Sequence, residues 1–312
     1  MNAKEIEEIL TAHGVPVSDA ATVADCFVTA DAYGVTSHGT AILPAHIDRI
    51  DRGGYNLAPR LATVKESPSF AVIDSDNAMG PVSAMHCMRY AIKKAEEYGM
   101  FTVFSRNGNT FGPAFYYPLK AAEKGYIGIV CSNSPAQMAP MGGKEKMLGT
   151  NPFSAVIPVP GSDPVIIDMA TSVVAKSKFK EYKKAGKLLP DGWALDREGN
   201  PTNNPDKAME GFVLPMAGFK GYAIALLIDV VAGLLPGAAF LNEVGRFYCD
   251  NNKSMNVGFC MTVIDPKVVY GDEWSAAIAE YVEKLRRSAP IDGRKIVLPG
   301  DDRIDFLHLH KS

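Results

Sequence analysis

The stretch FAVIDSDNAMGPVSAMHCMRYAIKKAEEYGMFTVFS (70–105) decides the fold class. Its two ends, FAVID (70–74) and MFTVFS (100–105), are short runs rich in apolar residues and predict two strands. The sequence between them predicts a helix over about 81–98, which Gly99 closes. A strand, a helix and a second strand in this order are typical of a sheet that is covered by helices.

The rest of the chain continues this alternation. Ser18 is placed to cap a helix that runs to about Val35, and the apolar run over 220–235 predicts a long buried helix. The sequence therefore predicts an α/β protein with a mixed or parallel sheet. The other predicted helices cover 3–13, 42–52, a segment that ends at Lys124, and 272–287. The other predicted strands cover 126–133, 153–159, 164–169 and 258–265.

Composition and charge limit the kinds of partner. Of the 312 residues, 47% are hydrophobic and 21% are charged, which is the balance of an ordinary enzyme with a sizeable core. The net charge is -3, and no basic stripe indicates nucleic-acid binding. The most cationic run, KSKFKEYKKAGK (176–187), is typical of a solvated helix face. We therefore expect a small-molecule substrate and no nucleic-acid partner.

The five cysteines indicate a reducing compartment. They are scattered, odd in number and never spaced as CxxC, which argues against a disulfide framework or a zinc knuckle. The first residues, MNAKEIEEIL (1–10), predict a charged amphipathic helix rather than a signal peptide. The longest apolar run, YAIALLIDVVAGLL (222–235), is too short to span a bilayer. We expect a soluble, cytoplasmic protein with no membrane partner.

Several common catalytic motifs are missing from the sequence. No G-x-G-x-x-G follows a predicted strand and no GK[ST] ends a glycine-rich loop, so Rossmann and P-loop nucleotide binding are disfavoured. The glycines of MGGKEKMLGTNP (141–152) are by themselves turn formers. The sequence has no HExxH and no G-x-S-x-G elbow. We therefore expect neither a metal site nor a serine hydrolase.

His38, within YGVTSHGTAILP (33–44), is the histidine in the most unusual setting. Ser37 could orient its ring, and Gly39 leaves room beside it. An unperturbed pKa of ~6.5 suits proton exchange with a substrate hydroxyl near neutrality. The residues alone leave two interpretations open, a structural histidine and a catalytic acid–base, and the structural one is the commoner.

Four separated stretches resemble the malate/L-lactate dehydrogenase family, a non-Rossmann group that includes ureidoglycolate and sulfolactate dehydrogenases. They are DAYGVTSHGTAILP (31–44), GYIGIVCSNSPAQMAPMGGKEKMLGTNP (125–152), IDMATSVVAKSK (167–178), and GWALDREGNPTNNP with GFKGYAIALLIDVVAGLLPGA (192–205 and 218–238). PGDDR (299–303) is similar to a further signature of the family. The resemblance implies a homodimer of two-lobed subunits. Residues 66–267 would form a non-Rossmann α/β cofactor domain with a mixed sheet, and 1–65 with 268–312 a largely helical lobe.

The resemblance also implies roles for individual residues. His38 would donate and accept the proton, with Ser37 beside it. NAD or NADP would be held by main-chain N–H groups in glycine and threonine turns and by a lysine at a helix start. The implied cofactor-binding residues are Ser134, Gly149, Thr150, Asn151, Asp168, Met169, Ala170, Lys220, Gly300, Asp301 and Asp302.

Two positions depart from the pattern of the family. Ile42 stands where many relatives carry an arginine suited to a substrate carboxylate, and Thr110 stands where relatives commonly carry a second histidine. Arg49, further along the same predicted helix, is the candidate replacement for the missing cation. Arg49 and Thr110 are therefore the predicted substrate-binding residues, and the departures leave the substrate open.

The resemblance implies an NAD(P)-dependent oxidoreductase that moves a hydride between the nicotinamide and a small 2-hydroxy acid or 2-oxo compound. One alternative is a ureidoglycolate dehydrogenase, which IDRIDRGGYN (47–56) and DNAMG (76–80) resemble locally and which Thr110 disfavours. An alternative of another class is a relative that binds the dinucleotide but has lost catalysis. The changes at Ile42 and Thr110 favour that alternative, and the intact SHG motif disfavours it.

Overall fold

A mixed sheet of seven strands forms the centre of the protein, whose computed structural model describes residues 1–310. Three further short strands form a second, small sheet. The ten strands are β1 (Ala62–Glu66), β2 (Phe70–Asp74), β3 (Met100–Gly108), β4 (Ile127–Ser132), β5 (Phe153–Ile157), β6 (Val165–Met169), β7 (Ala194–Leu195), β8 (Pro201–Thr202), β9 (Phe212–Val213) and β10 (Val257–Ile264).

The strand order explains why the large sheet is mixed. Across the sheet the strands run β1-β2-β3-β10-β4-β5-β6. Strands β2 and β3 are parallel, as the strand–helix–strand stretch predicts, and the other neighbouring pairs are antiparallel. The last strand in the chain, β10, lies in the centre between β3 and β4. The predicted mixed α/β fold is confirmed.

Eleven α-helices surround these sheets in the part of the chain that the structure describes. Short 3-10 turns cover Thr36–His38, Thr40–Ile42 and Leu241–Glu243, and a π-helical turn covers Asp229–Leu234. The helices are α1 (Ala3–Ala12), α2 (Val17–Ala32), α3 (Leu43–Asp51), α4 (Gly80–Tyr98), α5 (Tyr116–Ala122), α6 (Ser177–Lys184), α7 (Pro205–Glu210), α8 (Phe219–Ile228), α9 (Pro266–Tyr270), α10 (Trp274–Arg286) and α11 (Asp301–His310).

Helix α4 shows why the opening stretch folds as predicted. Proline occupies its first turn, where a missing N–H costs nothing, and Gly99 ends it with a positive φ of 79°. Small residues such as Ala84 and Ala91 on its inner face are fully buried in the core that also contains Phe101 of β3. The helix therefore packs closely on the sheet that its own flanking strands build.

Two local predictions are wrong. Helix α2 begins one residue before Ser18, and the Ser18 hydroxyl bonds Asp19 instead of capping the helix. The run over 220–235 is not one α-helix, because α8 changes to a π-helical turn after Ile228. It is also not fully buried. Its outer side chains are exposed, Leu227 by 59% and Leu235 by 63%.

The predicted division of the chain into lobes, which has soft boundaries, stays a prediction, and the packing adds detail to it. The boundary between 65 and 66 falls inside β1, so the large sheet begins within the segment assigned to the helical lobe. One core joins Leu10 of α1 and Phe27 of α2 to the sheet residues Phe101 and Phe259. A separate cluster surrounds the small sheet, with Met138, Phe179, Leu189, Ala194, Ala208, Val213 and Ala225 among its buried members. The second packing unit therefore lies in the middle of the chain rather than at its ends.

Candidate active site

A cavity of about 290 Å³ opens beside the carboxyl-terminal end of β6. Its wall combines the turn that follows α2, the segment after β3, the ends of β4 and β6, and the first turn of α11. Segments far apart in the sequence therefore meet at one place. The predicted site residues that line the cavity are Ser37, His38, Thr110, Ser134, Thr150, Asp168, Met169 and Ala170.

Gly39 shapes the SHG motif through a close approach of Asp31. The Asp31 carboxylate accepts hydrogen bonds from the Thr40 main-chain N–H at 3.1 Å and from the Thr40 hydroxyl at 2.6 Å. A Cβ on Gly39 would lie 1.9 Å from Asp31 Oδ1. Only glycine leaves room for this carboxylate, which holds the turn that carries His38 against α2.

The His38 imidazole is oriented and kept neutral. Its Nδ1 lies 2.9 Å from the Ser37 hydroxyl, within hydrogen-bonding distance. Burial in the cavity wall lowers the pKa of His38 from its ordinary 6.5, and the positive charge of Arg303 lowers it further. At neutral pH the ring is therefore uncharged and able to accept a proton.

A buried amide fixes the wall at Thr110. The preceding residue, Asn109, is fully buried and donates from Nδ2 to the Ala78 carbonyl at 2.8 Å and to Asn77 Oδ1 at 2.9 Å. Its Oδ1 accepts the Met255 main-chain N–H at 3.2 Å. These bonds hold Thr110 at the cavity, where its hydroxyl can form hydrogen bonds but cannot act as a base near neutral pH.

The GTNP turn is held against the end of β4. Asn151 Oδ1 accepts the Ser134 main-chain N–H at 3.0 Å, and Asn151 Nδ2 donates to the Ala225 carbonyl of α8 at 2.8 Å. A Cβ on Gly149 would lie 2.1 Å from the Ser134 carbonyl oxygen, so glycine is needed for this contact. Asn151 and Gly149 therefore hold the GTNP turn in place, while Ser134 and Thr150 form part of the cavity wall.

Arg303 is a cavity residue that sequence reasoning missed. Its Nη2 lies 2.8 Å from Asp168 Oδ2 at the end of β6. Burial raises the pKa of Asp168, and the nearby guanidinium opposes that rise. The signal was present, because Arg303 is the last letter of PGDDR, but its partner lies 135 residues away in the chain.

The PGD turn brings Arg303 to this position. Gly300 has a φ of +93°, which favours glycine, and a Cβ there would lie 2.6 Å from the Cβ of Ile166. The Pro299 carbonyl accepts the Ile166 main-chain N–H at 3.1 Å. The turn therefore lies directly on β6, and the first turn of α11 carries Arg303 toward Asp168.

Arg49 does not line the cavity, in contrast to the position that the sequence predicts for it. Its side chain is fully buried away from the cavity and donates to the main-chain carbonyls of Phe247, Asp250 and Lys253 at 3.2, 3.0 and 2.6 Å. Its guanidinium carbon also lies 5.2 Å from the centre of the Tyr55 ring. Helical spacing placed Arg49 near the SHG motif, but its face of α3 packs on the 247–253 loop.

The remaining predicted cofactor residues do not line the cavity. Asp301 accepts two hydrogen bonds from Arg286, at 2.8 and 2.7 Å, beside a neighbouring surface cavity. Lys220 and Asp302 are exposed, on the first turns of α8 and α11 respectively. Gly300 allows the main chain to turn closely against β6. Their contact with a dinucleotide stays a prediction.

The described residues offer neither a metal-binding cluster nor a membrane-spanning helix. Within residues 1–310, no group of three or more His, Cys, Asp or Glu side chains is arranged to hold a metal ion. Across the same described range, no helix is both long enough and apolar enough to cross a membrane.

Comparisons with known proteins place the chain among dehydrogenases. A family model described as malate/L-lactate dehydrogenase matches residues 3–308. A malate dehydrogenase of Pyrococcus horikoshii is 40% identical over 91% of this chain and 80% of its own length. A ureidoglycolate dehydrogenase (NAD(+)) of Escherichia coli is 35% identical over 96% and 85%. The solved structure of the Methanocaldococcus jannaschii sulfolactate dehydrogenase superposes with a TM-score of 0.94 at 37% identity, covering 99% of this chain and 90% of the other.

Proposed function

The chain belongs to the malate/L-lactate dehydrogenase family, and from this premise we propose that it interconverts a small 2-hydroxy acid and its 2-oxo acid. The observation that carries the proposal is His38, oriented by Ser37 in a cavity that also exposes Asp168 and Ala170. When bound, NAD or NADP takes up or supplies the hydride at the nicotinamide ring.

The proton transfer follows from the state of His38. A serine hydroxyl that accepts from Nδ1–H leaves the Nε2 lone pair free to take the proton of the substrate hydroxyl. In the imidazolium form both ring nitrogens donate, so Ser37 can keep the same role and Nε2 returns the proton during reduction. Neutral His38 at physiological pH is the state that the oxidation requires.

The cavity wall offers hydrogen-bonding groups that suit a dinucleotide. Ser134 and Thr150 supply hydroxyls, and the end of β6 at Met169 and Ala170 supplies main chain. The tight contact at Gly149 brings the GTNP turn beside Ser134, and such turns can present N–H groups to phosphate oxygens. We therefore assign these residues to NAD or NADP.

Thr110 separates the proposal from the ureidoglycolate alternative. A threonine hydroxyl in the cavity wall cannot replace a histidine as a base near neutrality. The alternative without catalysis is disfavoured because the contacts that orient His38 are intact. A substrate screen decides between these readings.

The proposal includes a cytoplasmic homodimer. The cysteines at 26, 87, 131, 249 and 260 are free thiols, which suits a reducing compartment. The exposed apolar side chains of α8 and the following π turn, including Leu227 and Leu235, form a face that a second copy would cover. Sedimentation velocity measures whether the chain is a dimer.

The test is a turnover screen with the histidine variant. We expect 2-hydroxy and 2-oxo acids to change NAD(P)H absorbance with the wild-type protein. His38→Ala should lower kcat by at least ~10²-fold, the usual contribution of a general acid–base, with an unchanged dinucleotide Kd. His13→Ala, at a half-buried histidine that is paired with Asp51 outside the cavity, is the matched control and should retain the wild-type rate. Near-normal turnover by His38→Ala would refute the proposed role.

A further inference from the structure

Arg303 is held by only one end of its guanidinium group. Nη2 bonds the Asp168 carboxylate at 2.8 Å and reaches the Asp168 carbonyl oxygen at 3.5 Å. The guanidinium carbon lies 5.1 Å from the centre of the Phe115 ring, which is itself fully buried. The ion pair and the ring contact together fix the group in the cavity wall.

The other end of the guanidinium group lacks an acceptor. Nη1 is buried and has no hydrogen-bond partner among residues 1–310. A buried N–H group of a charged side chain is costly when it stays unpaired, so such a group is expected to meet an acceptor in the working protein. Arg303 lines the His38 cavity, so a ligand that fills this cavity lies next to its guanidinium group.

The position of this charge is suited to a substrate. Among the cavity-lining residues in the described chain, Arg303 is the one with a permanent positive charge. His38 and Arg303 both line this cavity, so the two groups face a common space. Ile42, where relatives commonly carry the substrate arginine, is buried in the core and lies outside the cavity wall.

We propose that Arg303 binds the carboxylate of the 2-hydroxy or 2-oxo acid through Nη1, with Asp168 as the residue that positions it. This inference rests on the proposed function and names the substrate class, an acid with a single carboxylate next to the reacting carbon. One free guanidinium nitrogen serves one carboxylate, and a second carboxylate finds no cation in the described wall. The pyrophosphate of the dinucleotide is the competing acceptor, and the experiment separates the two.

The test compares a charged ligand with a neutral ligand of the same shape. Oxamate carries a carboxylate, and oxamide carries an amide in its place. Titration calorimetry in the presence of saturating NADH should show that the wild-type protein binds oxamate at least about 10-fold more tightly than oxamide, as expected for hydrogen bonds to a charged group. Arg303→Met should remove this preference, and its Kd for NADH alone should stay within about twofold of the wild-type value.

Two variants control for the fold. Arg286→Met breaks the other arginine–aspartate pair of the PGD turn, outside the cavity, and should retain the oxamate preference. Asp168→Asn still offers an oxygen to Arg303 but weakens the ion pair that positions it, so it should lower the oxamate preference to an intermediate value. A wild-type preference in Arg303→Met, or in Arg303→Gln if Arg303→Met fails to fold, would overturn the proposal.

The results also separate this inference from the proposed function. If the protein reduces 2-oxo acids and Arg303→Met leaves their KM unchanged, the inference is wrong and the function stands. If Arg303→Met weakens NADH binding and leaves the oxamate preference intact, the guanidinium binds the dinucleotide and the inference is wrong. If the preference depends on Arg303 but the wild-type protein turns over no 2-oxo or 2-hydroxy acid, the carboxylate site stands and the proposed function falls.

Discussion

Replacement of Gly39 by alanine tests how the catalytic turn is built. The backbone of Gly39 has a φ of -96°, outside the left-handed region that favours glycine, so we expect the effect of alanine to come mainly from the space that its Cβ needs. The new Cβ would lie 1.9 Å from Asp31 Oδ1 and would displace the carboxylate from both Thr40 hydrogen bonds. Bonds to a charged group contribute about 1.5–3 kcal/mol each, and partial exposure reduces this, so we expect a loss of about 2–4 kcal/mol in the free energy of unfolding.

A double-mutant cycle identifies Asp31 as the cause. Asp31→Ala should itself cost about 2–3 kcal/mol, because the same two bonds are lost. In the Asp31→Ala background the carboxylate is gone, so Gly39→Ala should cost less than about 1 kcal/mol. Gly53→Ala is the matched control, since its φ is +72° with open space around it, and should cost only about 1 kcal/mol from backbone strain.

The assay is chemical denaturation of all five proteins together with their kcat. A displaced His38 should lower kcat in Gly39→Ala by at least ~10-fold, because small misplacements of a catalytic group are costly. If Gly39→Ala destabilises the Asp31→Ala protein as much as the wild type, the contact with Asp31 is not the reason for glycine at this position. The reasoning about the SHG turn would then be refuted.

Further predictions concern the pH profile, the cofactor and the substrate. Since burial and Arg303 lower the pKa of His38, kcat/KM for oxidation should be flat near neutrality and fall only below pH 6.5 as the ring gains a proton; a pH profile with its acidic midpoint above 6.5 would contradict this. Lys220→Ala should raise the dinucleotide Kd, and the wild-type Kd should rise with salt; equal Kd values for the two proteins, measured by fluorescence titration, would refute the role of Lys220. With Ile42 in the core, malate should be a poorer substrate than a monocarboxylic 2-hydroxy acid, and a malate kcat/KM near ~10⁴ M⁻¹s⁻¹ or higher would show that this account of the pocket is wrong.

The sequence correctly predicted those elements whose own residues mark where they begin and end. The strand 70–74 and the helix before Gly99 have a clear period and a clear stop, and both occur as predicted. The run over 220–235 is apolar on every side, so periodicity could not tell which face is buried or where the helical hydrogen bonding changes. Strand β1, near the predicted soft boundary at 65, was not predicted because it is polar and exposed, without the alternation that marks a half-buried strand.

Cavity residues could be predicted from the sequence where they belong to one short motif. Ser37 and His38 adjoin in the chain and also in the cavity, and the end of β6 follows from a short motif at Asp168. Arg303 depends on the contact between the PGD turn and β6, which no local pattern records. Arg49 failed for the opposite reason, since its spacing suited the site and only the packing of α3 shows that it faces elsewhere.

The central place of β10 affects how the protein is made. On a ribosome, β3 and β4 emerge long before their common neighbour, so each has an unpaired edge until Val257–Ile264 is synthesised. At common translation rates this interval is on the order of ten seconds. Exposed strand edges are sites of intermolecular pairing, so we expect the nascent chain to be most prone to aggregation during this interval. Slower synthesis lengthens the interval, so a chaperone that covers strand edges should increase the yield of folded protein more than slower synthesis does.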